Sequence, residues 1–373
     1  MKIALVHDYL VQYGGAERVL EVFSEIFPYA PIYTLVYDKN IFKNRFGRKK
    51  IYTSFLQSLP LSKSHHRSFP ILMPMAIESF DLSFYDIVLS DSNSYAKGII
   101  SNSGTLHICY CHTPMRYAWD DYYSYTENFS VAKLIRKAIP LAMNYIRLWD
   151  KISADRVDKF ITNSNFVAKR IAKYYRRSAE VIYPPVSLAF FNPDKKIKKE
   201  DYFLIVGRLI PYKRFDLVVG AFNTLGLRLK IIGDGPEMQR LKKMAKSNIE
   251  FLGWQSDEEI RDHYAKAKAF LFPQEEDFGI VALESLASGT PVIAYRGGGA
   301  LEIVKEGING IFFDEQTVDA IVGAVRDFKD KNFDGEKIKD SVRSFDKEIF
   351  KKKIKEFVER EWVEFKKINN FKF

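Results

Sequence analysis

Cysteine is nearly absent from this chain of 373 residues: only Cys109 and Cys111 carry a thiol. Two residues apart on a strand-like run, they point the same way but sit too tightly placed to bridge, so no disulfide framework is expected and a reducing setting fits. No run of about 18 apolar residues occurs, which excludes a spanning helix. Met1-Lys2 leads at once into Ile3-Ala4-Leu5-Val6, without the apolar core and cleavage site of a secretory leader, so a cytoplasmic location is expected. Also missing are solenoid repeats, low-complexity stretches, any Asp-x-Asp pair, and a Gly-x-Gly-x-x-Gly fingerprint followed by an acidic residue. The last absence counts against an NAD(P)-dependent oxidoreductase, one alternative for a chain of this kind.

What is present points to a folded two-domain protein. Apolar residues make up 47%, with 30 Phe and 21 Tyr, far too many for a disordered chain. The length exceeds one ordinary core and suits two. The net charge of +10 is unevenly spread: residues 1–190 hold 24 Lys/Arg against 16 Asp/Glu, whereas 191–373 hold 33 against 31. A basic first half attracts phosphates, acidic lipid or nucleic acid. Lys43, Arg45, Arg48, Lys49, Lys50, Lys63 and Arg67 flank the apolar run 69–77 and are expected to meet an anionic membrane surface. A nucleic-acid-binding protein is the other alternative, but no reading motif is found, so no nucleic-acid partner is expected.

Along the second half, β-branched and aromatic runs at 202–207, 229–233, 249–252, 268–272, 291–295 and 310–313 alternate with helical stretches at 213–224, 236–247, 256–267, 280–288, 299–305 and 316–329. That alternation predicts a parallel sheet covered by helices, a Rossmann-like α/β domain. The first half repeats the scheme with strands near 2–7, 32–37, 86–90, 105–111, 159–162 and 180–183, and helices near 15–27, 131–157 and 165–175. Pro184-Pro185 and the charged run 195–200 suit a linker, with a hinge at 184–200. The expected domains are 1–186, 187–345 and a terminal helical segment 346–373 that packs back toward the first.

Four loops carry candidate chemistry. Gly14-Gly15-Ala16-Glu17-Arg18 opens a helix after the first strand, and glycine there lets a phosphate approach the helix N-terminus. Arg208 and Lys213 follow the first strand of the second half, where a fork and a point charge can neutralise a diphosphate. Glu276 lies in a loop and Glu284 one turn into the next helix, so both can accept hydrogen bonds from sugar hydroxyls. Arg296-Gly297-Gly298-Gly299 is expected to form a second amide cradle for an anion. Cys109-Tyr110-Cys111-His112 puts His112 at a strand end; without a second ligand cluster, zinc is not expected.

Together these motifs resemble the family 4 retaining glycosyltransferases of the GT-B fold, in which two Rossmann-like domains face each other across a nucleotide-sugar cleft. The resemblance runs over most of the chain and rests on Gly14 to Arg18, Gly207-Arg208 with Lys213, Glu276 and Glu284 around Phe278-Gly279, and Gly289-Thr290-Pro291-Val292. It implies that Arg208 and Lys213 bind the donor diphosphate, Glu276 the transferred sugar, Glu284 the ribose and Gly15, next to Gly14, the phosphates. Phe278, Gly279 and Ile280 would contact sugar and phosphate, Gly253 the base, and His112 the sugar on the acceptor side. Arg208, Lys213, Glu276 and His112 are thus the catalytic candidates. Asp277 stands where many members have glycine. The implied reaction is retaining hexosyl transfer without a divalent metal or other cofactor. The donor is read as GDP-mannose, with a UDP-sugar as alternative. The acceptor is a saccharide or lipid-diphosphate-linked saccharide at the inner membrane face, for surface polysaccharide.

Overall fold

The computed structural model describes residues 1–43, 45–64, 69–123, 133–192 and 197–369. They form two compact units, one of residues 1–185 with the chain from Phe350 onward, the other Val186–Ile349.

The first unit is built on seven parallel strands: β1 (Ile3–His7), β2 (Ile32–Thr34), β3 (Ile51–Thr53), β4 (Ile87–Ser92), β5 (Leu106–Cys111), β6 (Lys159–Thr162) and β7 (Ala179–Val181). Their order is β3-β2-β1-β4-β5-β6-β7. β1, β4 and β5 are buried throughout, the mark of a parallel sheet covered on both faces. Alternate residues serve opposite faces. Leu5 and Leu89 pack with Val19, Leu20 and Phe23 of the helix Gly15–Ile26, while Val6 and Val88 pack with Ile146 and Trp149 of the helix Lys133–Asp155. The predicted start of that second helix, 131–132, lies outside the described residues, as does Arg67. The three-residue edge strand β3 was not foreseen, because so short a run shows no periodicity.

The terminal helix Lys347–Asn369 places Phe350, Ile354, Phe357 and Val358 on one stripe, three and four residues apart, and buries that stripe in the first unit's core. Phe350 stacks on Phe23 with ring centroids 5.8 Å apart, and Arg360 pairs with Glu180 at 2.7 Å. Cys109 and Cys111 are free and buried beside Phe160 and Tyr175. One basic residue is differently employed than its sequence suggests. Lys49 donates from Nζ to the carbonyls of Phe27, Pro28 and Ala30, and burial lowers its pKa to about 8.

The second unit has six parallel strands: β8 (Phe203–Val206), β9 (Leu229–Ile232), β10 (Ile249–Gly253), β11 (Phe270–Phe272), β12 (Val292–Tyr295) and β13 (Gly310–Phe313), ordered β10-β9-β8-β11-β12-β13. Helices start and stop where chemistry directs. Ser256 and Glu259 form a reciprocal capping box at the helix Asp257–Lys266, and Gly226 at φ +66° ends Phe215–Leu225. The stretch predicted as a helix over 299–305 is only Ala300–Ile303. Strand order reverses between β1 and β4 in one sheet and between β8 and β11 in the other. In open α/β sheets, ligands bind beyond the carboxyl ends of the strands at such points.

Candidate active site

In the second unit the loops after β8 and β11 flank the reversal. Gly207, at φ +153°, turns the chain out of β8, and exposed Arg208 follows. Gly233 and Gly235 let the next loop close on it: a Cβ at Gly233 would lie 1.9 Å from the Gly207 carbonyl oxygen, and one at Gly235 2.4 Å from that of Leu209. A short turn, Pro211–Lys213, then brings Lys213 Nζ to 2.8 Å from Glu276 Oε1. Burial alone would lower the Lys213 pKa, but the charge of Glu276 outweighs it and raises the pKa, keeping the ammonium charged.

Glu276 is fixed from behind. Its carbonyl accepts a hydrogen bond of 2.8 Å from the Gly299 N–H, and a Cβ at Gly298 would come within 2.3 Å of the same oxygen. Of the amides read from sequence as an anion cradle, those of Gly297 and Gly299 are engaged within the protein, on the carbonyls of Tyr295 and Glu276, and the glycines also permit close packing of two loops. Phe278 is buried against the Phe345 ring, and Gly279 at φ +104° turns the chain into the helix Ile280–Ala287. One turn in, Glu284 is buried and accepts from Tyr264 Oη at 3.4 Å. Gly253, at φ +70°, ends β10 and is followed by exposed Trp254.

The first unit assembles a second group at its own reversal point. Gly14, extended, precedes the helix that begins at Gly15. His112 directly follows β5 and gives Nε2 to Asp91 Oδ1 at 2.5 Å; the other oxygen, Oδ2, meets His7 Nδ1 at 2.9 Å. Glu17 Oε1 stands 3.6 Å from His7 Nε2. Burial would lower the His7 pKa, but Asp91 and Glu17 push it up to about 10. Burial would raise that of Asp91, but His112 and His7 lower it. Next door, the Asp8 carboxylate accepts four backbone N–H groups, from Asn93, Ser94, Tyr95 and Ala96, at 2.6 to 2.9 Å, tying the end of β1 to the loop after β4.

Lys213, Glu276, Phe278, Gly279, Ile280, Glu284, Arg208 and Gly253 thus belong to one unit, and Gly14, Gly15 and His112 to the other. Sequence reasoning missed Asp91, and passed over His7 and Glu17 as site residues. The signal was Ser90-Asp91-Ser92, a polar run that reads as the end of a strand, whereas all three residues are buried inside β4.

The fold is that of GT-B glycosyltransferases. The Anabaena HepE protein solved with UDP and glucose superposes with a TM-score of 0.69 at 18% identity, over 96% of this chain and 99% of its own. Sucrose-phosphate synthase of Thermosynechococcus elongatus gives 0.74 at 16%, over 97% and 100%. Residues 189–345, within the second unit, match the family described as glycosyl transferases group 1, and the GT-B resemblance drawn from the sequence is borne out. Among curated relatives, an uncharacterized glycosyltransferase of Methanocaldococcus jannaschii is 31% identical, over 45% of this chain and 49% of its own length. The GDP-mannose-dependent alpha-(1-6)-phosphatidylinositol monomannoside mannosyltransferase of Mycolicibacterium smegmatis is 34% identical over 44% and 51%. The chain thus spans about half the length of these relatives.

Proposed function

We propose that the chain is a retaining glycosyltransferase that moves a hexose, mannose from GDP-mannose, onto a saccharide or lipid-diphosphate-linked acceptor. The observation that carries this reading is the meeting of Lys213 and Glu276 at 2.8 Å beside the β8/β11 reversal, a cation for a leaving diphosphate next to a carboxylate for sugar hydroxyls. Arg208 shares the diphosphate, Glu284 takes the ribose and His112 meets the sugar. Stabilising the leaving group falls to these cations, so transfer proceeds without a divalent metal. The GDP-mannose dependence named for the mycobacterial relative supports mannose over the UDP-sugar alternative.

Thermal shift with GDP-mannose, UDP-glucose, UDP-N-acetylglucosamine and their nucleotides tests the donor. Stabilisation by GDP-mannose and GDP alone is expected; a response confined to uridine compounds removes mannose from GDP. Turnover unchanged in EDTA and an anomeric signal matching the donor's test metal independence and retention.

The basic first unit favours an anionic membrane surface. Lys43, Arg48, Lys50 and Lys63 are exposed, and Leu61, Ile71 and Met75 expose apolar side chains close to them in sequence. Among the described residues no helix is long and apolar enough to cross a membrane. Flotation with anionic liposomes at low salt is expected to carry the protein upward, and failure to float removes this contact.

A further inference from the structure

The helix Lys133–Asp155 has two apolar faces, and the first unit's core uses one of them. Met143, Ile146 and Trp149 turn into that core. On the opposite side Leu141, Tyr145, Leu148 and Ile152 are 76%, 46%, 58% and 58% exposed. Spaced four, three and four residues apart, they share one side of the helix and form a stripe about 16 Å long. Together they leave on the order of 400–500 Å² of surface in water, a size at which a contiguous apolar patch on a single chain commonly marks an interaction site.

We propose that this stripe is the contact through which two copies of the chain associate, their helices antiparallel about a two-fold axis. Its spacing reads the same in both directions, as a contact of one patch with itself requires. An axis midway between Tyr145 and Leu148 sets Leu141 of each copy against Ile152 of the other, and Tyr145 against Leu148. The two stripes together bury about 1,000 Å², the lower bound for a specific interface, so the dimer forms in the micromolar range. The bordering charges favour a second copy over a lipid surface. Among the described residues, Lys151 is paired with Asp155 at 2.6 Å, Arg156 with Glu78 at 2.6 Å, and Arg147 donates to the Ala118 carbonyl at 2.8 Å. A helix lying on anionic lipid takes its hold from unmatched cations along its polar face. Here the cations are matched within the chain, and burying the stripe against its copy strands none of them.

Sedimentation velocity of the full chain, run from low to high micromolar concentration, is expected to show a monomer–dimer equilibrium that salt barely changes. Leu148→Glu brings two carboxylates to the axis and should weaken association on the order of 100-fold or more. The side chain is exposed in the single chain, so the melting temperature of dilute protein should stay where it is, and Ile152→Lys serves as a second variant. The register has its own test. A mixture of Leu141→Cys and Ile152→Cys proteins should be joined by a short bismaleimide, whereas neither should be joined to itself, and Cys109 and Cys111 are buried and do not compete. A monomer at every concentration overturns the proposal, and so does a dimer that Leu148→Glu and Ile152→Lys both leave intact. Each cysteine variant joined to itself, and not in the mixture, refutes the antiparallel pairing. Flotation with anionic liposomes that Leu148→Glu abolishes, from a protein that stays monomeric, gives the stripe to a membrane and overturns the dimer as well.

Discussion

Lys213 and Glu276 hold one another at 2.8 Å, with side chains only 13% and 15% exposed, so neither charge is spent on bulk water. Their proposed roles in transfer nonetheless separate: on that reading Lys213 serves the diphosphate in every step, whereas Glu276 serves the sugar alone. Glu276→Ala is expected to lower hexose transfer on the order of 100-fold or more while nucleotide binding, followed by thermal shift, is largely kept. Lys213→Ala should weaken both. Near-wild-type turnover by Glu276→Ala would show that the donor site has been misassigned.

How much of this was legible beforehand follows from the range of each interaction. The strands of the second unit fall within two residues of their predicted spans because each is an apolar run stopped by charge, glycine or proline. Lys213 and Glu276 were legible because they sit at strand ends. Asp91 was not, because its partners are 21 and 84 residues away and nothing local in Ser90-Asp91-Ser92 announces two histidines. Lys49 looked like any surface lysine; its three carbonyl acceptors exist only after Phe27 to Ala30 turn toward it. The triple glycine fits an amide cradle and a tight loop contact equally well as sequence. The contact becomes visible only with the position of the Glu276 carbonyl.

That contact yields a paired prediction. Gly298 has φ +59° and its Cβ would come 2.3 Å from backbone, so Gly298→Ala should displace Glu276, cost on the order of 2 kcal/mol or more, and depress transfer. Gly323, inside the helix Val318–Lys329, has nothing within 4 Å of its would-be Cβ. There alanine should stabilise by about 0.4–1 kcal/mol and leave transfer untouched. Urea unfolding of the two variants checks both signs, and equal effects would refute the packing account.

Lys97 and Asp150 form an ion pair that is nearly water-free, and Asp150 also accepts from Tyr175 Oη and Trp119 Nε1. Removing the cation leaves a buried carboxylate with neutral donors only. Lys97→Met should therefore cost about 3–5 kcal/mol, and Lys97→Met/Asp150→Leu should recover part of it, because neither charge then remains to be desolvated. A double variant less stable than the single one would show that Asp150 is satisfied without Lys97.

His7 gives a stability signature with a defined sign. Its pKa is pushed from 6.5 up to about 10 in the folded protein by Asp91 and Glu17, against burial. The stabilisation is complete below pH 6.5, where both states carry the proton, and is lost as pH rises through about 10. In between, it falls by about 1.4 kcal/mol per pH unit. Lys49 and Lys199, each lowered to about 8 mainly by burial, work in the opposite direction above pH 8. Both lysines are present in wild type and in His7→Gln, so the difference between the two proteins isolates His7. Unfolding free energies measured at pH 7, 8, 9 and 10 should converge at about that slope. Curves that stay parallel across the window would mean that His7 is not held as a cation between Asp91 and Glu17.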